Sequence, residues 1–200
     1  MSKYLYHGSS VAGIDQIRAS SLLHGTDGTK VVYLTENRAY ALFYIWDAEH
    51  NIKEGKHVTA WIRNGMVYYE EQFPEQLPTF YKGVSGYVYY VEGGESFRPV
   101  EGRESMWYDT KDANVVKVDY ITDVYEELCR YEKLGKFKVV HYNEVPVSRI
   151  EELYSHMAEE IVSKNLLHMP DIANARFYQT YFQRVWELAK EIDKGCSLKN

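Results

Sequence analysis

Val84-Ser85-Gly86-Tyr87-Val88-Tyr89-Tyr90-Val91-Glu92 is the stretch on which the reading of the fold turns. Side chains alternate between faces along a strand, so Tyr87, Tyr89 and Val91 share one face while Val84, Val88 and Tyr90 share the other. Apolar residues on both faces predict a strand buried from both sides. The flanking segments supply its companions. Val58–Arg63 and Met66–Glu71 bracket Asn64-Gly65, a dipeptide suited to a tight hairpin. Tyr4-Leu5-Tyr6-His7, Val31–Thr35, Met106–Asp109, Val115–Tyr120 and Phe137–Tyr142 read as further short strands, rich in aromatic and β-branched residues.

Helical periodicity appears between and after these strands. A short helix is expected over Val11–Ala19 with Ile14 and Ile17 inward, followed by a polar, glycine-containing loop over Ser20–Lys30. Thr35 is placed to cap a helix from Glu36 to Asp47 that carries Tyr40, Phe43, Tyr44 and Trp46. Ile121, Val124, Tyr125, Leu128 and Tyr131 form one apolar stripe, and Ile150, Leu153, Tyr154, Met157, Ala158 and Ile161 form another. The second starts at Ser148-Arg149-Ile150-Glu151, which has capping-box spacing. A last helix is expected over Asp171–Ile192. These amphipathic C-terminal helices must dock, and the sheet is the natural partner. The class is α+β, divided into residues 1–142 and a helical extension over 143–200 packed on them.

Composition narrows the function classes. A net charge of −6 argues against a broad electrostatic grip on nucleic acid or on an anionic membrane. No apolar run approaches the roughly 20 residues that cross a bilayer, and the N-terminal residues lack the apolar stretch of a secretion signal. Cys129 and Cys196 are the two cysteines, which gives neither a disulfide framework nor zinc-ligand spacing. A cytoplasmic location, no membrane partner and no metal are the resulting expectations. His141 alternates with Phe137 and Val139 and reads as a sheet-face residue. Gly25–Lys30 lacks P-loop spacing and reads as a loop bordering a pocket.

Three separated segments carry the candidate chemistry: Tyr6-His7-Gly8-Ser9 at a strand end, Val32-Tyr33-Leu34-Thr35 leading into the helix with Tyr44, and Arg103-Glu104-Ser105-Met106-Trp107-Tyr108-Asp109. Taken singly, a strand-end histidine and two tyrosines among nineteen are ordinary structural residues. Their order and spacing resemble the His-Tyr-Glu ADP-ribosyltransferases, the family of the poly(ADP-ribose) polymerase catalytic domain and diphtheria-type toxins. The resemblance covers about residues 3–121. It implies a split, antiparallel-rich β-sheet with an NAD cleft, plus a C-terminal helical extension outside the shared part.

The same resemblance implies roles for particular residues. His7 would bond a ribose hydroxyl, and the Gly8 backbone would meet the nicotinamide carboxamide, with Ser9 in the same NAD-contacting set. Tyr33 and Tyr44 would sandwich the nicotinamide ring, and Glu104 would act as the catalytic carboxylate alongside His7 and Tyr33. NAD would be the substrate, with nicotinamide leaving and ADP-ribose passing to an unidentified protein or nucleic-acid acceptor, as a single transfer rather than polymer extension. Ala41 departs from the pattern, since the polymerases carry a serine there that bonds the carboxamide. Glu144, in Tyr142-Asn143-Glu144, is an alternative carboxylate, and Glu95 a third. Two rival readings share the fold: a non-catalytic NAD- or nucleotide-binding module, and an RNA 2′-phosphotransferase-like enzyme. The latter needs basic residues for the RNA phosphate, and no such arrangement is evident near His7 in the sequence.

Overall fold

A computed structural model describes residues 3–23, 25–26, 28–45 and 59–197. In chain order the strands are β1 (Tyr4–Ser9), β2 (Gln16–Ile17), β3 (Ser21–Leu22), β4 (Lys30–Thr35), β5 (Thr59–Arg63), β6 (Met66–Glu70), β7 (Gly86–Glu92), β8 (Arg98–Pro99), β9 (Met106–Asp109), β10 (Ala113–Ile121) and β11 (Phe137–Val140). The α-helices are α1 (Arg38–Ala41), α2 (Gln76–Tyr81), α3 (Val124–Lys133), α4 (Val147–Ser163), α5 (Ala173–Tyr181) and α6 (Gln183–Ser197). The architecture is mixed α and β, built on an open, antiparallel-rich sheet.

That sheet has eight strands in the order β2-β10-β7-β1-β4-β9-β8, with β3 beside β4. β7 lies near its middle, paired with β1 along six residues and with β10 on its other side. Its two faces feed two separate cores, as the alternation predicts: Tyr89 and Val91 join Leu5, Val32 and Leu34, while Val88 and Tyr90 join the larger core opposite. A second sheet, β11-β6-β5, forms the far wall of the larger core. Its β5–β6 hairpin turns at Asn64 (φ 52°) and Gly65 (φ 75°), the two positive dihedrals that the Asn-Gly pair accommodates. Val58, the first residue of the expected hairpin, lies outside the described residues.

Helices α4, α5 and α6 supply the rest of the larger core. Tyr154, Ile161, Phe177, Phe182 and Val185 are buried in it together with Val67 and Tyr69 of β6 and Phe137 of β11. Phe73 stacks on Tyr181 with centroids 5.8 Å apart and meets Phe182 edge-on at 5.3 Å. The helical extension and the small sheet therefore share one interior.

Several expected elements differ. Val11–Ala19 is not a helix: Gly13 takes a left-handed φ of 70°, and Gln16–Ile17 pairs instead with Ala113 and Asn114 of β10. Ile14 and Ile17 still point inward, onto the smaller core. The loop expected over Ser20–Lys30 contains β3, which pairs with the start of β4. Helix α1 is short and its N-cap is Asn37, whose Oδ1 accepts from Ala39 N at 3.1 Å; Thr35 Oγ1 accepts from Asn37 N, two residues too early to cap it. A 3-10 turn over Leu42–Tyr44 follows, and Trp46 lies outside the described residues.

Ile121 ends β10 rather than starting α3. The capping box expected at Ser148 does not form, because Pro146 takes the N-cap position. A carboxylate does cap the preceding 3-10 turn, where Glu144 Oε2 accepts from His141 N at 3.0 Å. His141 thus lies past the end of β11 and off the sheet face, with Nδ1 3.3 Å from the buried Glu71 carboxylate. The last expected helix breaks at Phe182 (φ −127°, ψ 50°), which turns its ring into the core and divides α5 from α6.

Candidate functional site

β1 and β4 are neighbours that pair at one position, Tyr6 with Thr35. A cavity of about 510 Å³ opens at this split. Tyr6, His7 and Gly8 line it from β1, Val32–Thr35 from β4, and Tyr44 from the 3-10 turn after α1. The β2 region adds Gln16, Ile17 and Arg18, and the turn before β9 adds Arg103. A volume of this size is in the range of sites for small molecules and cofactors.

Each lining side chain is held for a local reason. Gly8 faces α1, and a Cβ built on it would lie 1.9 Å from the Ala41 carbonyl oxygen and 2.9 Å from its carbon. The absence of a side chain thus lets α1 seat directly on β1, which carries Tyr44 to the cavity mouth. Burial depresses the His7 imidazole below its usual range, while a hydrogen bond between its ring and the Tyr33 main chain pulls the other way. That bond spans the split, where the strands exchange no regular ladder. Tyr33 donates its hydroxyl to the Leu22 carbonyl at 3.2 Å, tying its ring to β3. Enclosure raises the Tyr44 hydroxyl well above the ordinary phenol, helped by neighbouring Tyr40; the Arg103 charge opposes this.

The structure brings His7, Gly8, Tyr33 and Tyr44 to one cavity. Ser9 is not in its lining; its Oγ accepts from Val11 N at 3.1 Å, shaping the turn after β1. Glu104 is not in the lining either, although Arg103 beside it is. Its carboxylate grips the hairpin turn of the second sheet, accepting from Asn64 N at 2.9 Å and Gly65 N at 2.6 Å. Ser105, with a left-handed φ of 60°, turns the chain here, and its carbonyl accepts from Glu36 N at 2.9 Å and Thr35 Oγ1 at 3.0 Å. Glu144 caps a turn beside the small sheet, and Glu95 also lies outside the lining.

Among the described residues lining the cavity there is no carboxylate, and there are two guanidinium groups, Arg18 and Arg103. The expectation that no basic residues gather near His7 is therefore overturned. Arg18 belongs to the stretch expected as a helix, whose real path across the smaller core delivers it to the cavity. Arg103 stands next to the singled-out Glu104. The Gly25–Lys30 loop contributes no lining among its described residues; Ser20 and Ser21 do so instead. No group of three or more His, Cys, Asp or Glu side chains placed to hold a metal occurs among the described residues, and no described helix is long and apolar enough to cross a membrane.

Comparison of the chain with protein-family models, with curated proteins and with solved structures finds no match in any of the three.

Proposed function

We propose that the cavity at the β1–β4 split binds NAD, and that the protein transfers ADP-ribose from it with release of nicotinamide, in the manner of the His-Tyr-Glu ADP-ribosyltransferases. The observation that carries this reading is the convergence of His7, Gly8, Tyr33 and Tyr44, distant in sequence, on one cavity of about 510 Å³. The two tyrosines offer flat faces to a nicotinamide ring. A neutral His7 suits a ribose hydroxyl better than a phosphate, and Arg18 and Arg103 supply positive charge for the pyrophosphate.

The chemistry requires charge stabilisation more than proton transfer. Nicotinamide leaves with the electron pair of its glycosidic bond, an oxocarbenium-like centre develops at the ribose carbon, and the acceptor's nucleophilic oxygen or nitrogen forms the new bond there. In this reading Glu104 stabilises that centre after its carboxylate leaves the amides of Asn64 and Gly65. Glu104→Gln is expected to lower the rate of nicotinamide release about 100- to 1,000-fold with little change in NAD affinity.

The carboxylate-free lining favours a second reading in which the acceptor is itself a phosphate, as in RNA 2′-phosphotransferase-like enzymes. A phosphate oxygen is already anionic and needs no base, and two arginines can hold it. Calorimetric titration with NAD, followed by nicotinamide release with and without a 2′-phosphorylated RNA oligonucleotide, separates the possibilities. Release without RNA supports the first reading, and release that depends on it supports the second. Binding without release in either arm would leave a non-catalytic module, and no binding would end the proposal.

A further inference from the structure

β10 is nine residues long, yet β2 covers its outer edge at Ala113 and Asn114 alone. Val115 N is also satisfied, by the Asp15 carbonyl at 2.9 Å. From Val116 to Ile121 no strand pairs with that edge among the described residues. The uncovered stretch is apolar as well: Val116 is 51% exposed, Val118 50% and Tyr120 58%. A long edge of this kind is a template for another strand, and proteins usually blunt it with a bulge or charges. β10 has a bulge between Val115 and Lys117, which leaves the five residues after Val116 as regular ladder.

We propose that this edge is a self-association surface, closed by the same edge of a second copy in antiparallel register centred on Val118. The charge pattern selects the occupant. Pairing about Val118 sets Lys117 opposite Asp119 of the second copy, and the two-fold axis repeats the pair. Opposite charges directly across a ladder are favourable and like charges unfavourable. A strand carrying Lys and Asp at equal distances from a central Val is complementary to itself in this register. Val118 then meets Val118 of the second copy, and Val116 falls beside the second copy's Tyr120.

The parts are already ordered. Tyr120 packs on Tyr87 with centroids 5.2 Å apart, Lys117 sits over the Tyr90 ring at 4.3 Å, and Asp119 is held by Arg38 at 3.2 Å and by Lys117 of its own strand at 3.0 Å, a pair that the second copy's Lys117 and Asp119 would extend into a four-charge cluster. Shifting the register by one residue either way brings charged side chains opposite apolar ones. None of these residues lines the cavity at the β1–β4 split, so pairing leaves that cavity open.

Sedimentation velocity of the full chain from 1 to 200 µM tests the surface, and crosslinking tests the register. A concentration-dependent dimer is expected. Val118→Lys places two ammonium groups at the axis, and Val116→Asp sets a carboxylate beside the second copy's Tyr120. Each should weaken association at least tenfold without altering nicotinamide release or the far-ultraviolet spectrum. Val118→Cys should form a disulfide-linked dimer on mild oxidation, and Asn114→Cys should not, with the unsubstituted chain as the control for its own cysteines. A monomer across the whole range, or a dimer unaffected by both charge variants, would overturn the proposal.

Discussion

A methyl group has no room at Gly8, because the obstacle is the main chain of α1 rather than a side chain that could swing aside. Gly8→Ala is therefore expected to cost about 1–3 kcal/mol of stability, toward the upper end, measured by urea denaturation. His7 makes a different prediction. Burial lowers its folded-state pKa beneath the usual 6.5, so the unfolded chain takes up a proton that the folded chain refuses. Its contribution to stability is complete above pH 6.5 and declines as the pH falls below that value, until the folded-state pKa is passed. Denaturation at pH 7.5 and at pH 5.5 should show a smaller loss on acidification for His7→Gln than for the unsubstituted chain. Equal losses would show that the His7 imidazole does not control the dependence.

At the scale of the element, α1 matters more than its four residues suggest. Arg38 opens it and reaches across to β7, β10 and α3, donating to Glu127 at 2.7 Å, Tyr131 at 2.9 Å, Asp119 at 3.2 Å and Tyr90 at 3.2 Å. Tyr90 in turn donates to Asp119. Burial works against the guanidinium charge, but the bonds to Glu127 and Tyr131 outweigh it and keep the group ionised. Arg38→Gln would leave Glu127 and Asp119 without their shared cation, at a cost of about 2 kcal/mol, below the roughly 3–5 kcal/mol of a fully buried pair. If α1 depends on this anchor, the position of Tyr44 at the cavity should shift as well, and under the proposed function NAD affinity should fall with it. The elements most legible in the sequence were those whose own residues dictate their form. Asn64-Gly65 specifies its turn, and the two-sided alternation from Tyr87 to Val91 specifies a central strand. The helix expected at Val11–Ala19 does not form, and the sequence is ambiguous there because its inward isoleucines suit a helix or a crossing strand equally. Gly13 and the distant Ala113–Asn114 edge decide between them, and the second lies about a hundred residues away. The break at Phe182 was hidden for a similar reason, since its neighbours continue a helical stripe and tertiary burial of the ring overrides it.

For the molecule as a whole, the candidate site was legible in proportion to how far each residue type limits its own uses. Gly8 and the tyrosines near it could be singled out from order and spacing. Arg18 and Arg103 could not, because an arginine is ordinary at any surface position until the chain path is known. The sequence singles out the Glu104 carboxylate but not its partners, the Asn64 and Gly65 amides about forty residues earlier, through which it links one sheet to the other. The shared interior leads to a further expectation: a chain ending at Val145 would expose Val67, Tyr69 and Phe137 and should show no cooperative thermal transition, with strong binding of an apolar dye. The parallel partnership of β6 with β11 joins residues 67–70 to residues 137–140, and the helices that cover it come later still. On the ribosome, this half of the protein stays open until α4, α5 and α6 have emerged. Its aromatic residues are exposed to chaperones over that interval, and the yield of soluble product should respond to elongation rate and chaperone supply more than to the stability of the finished fold.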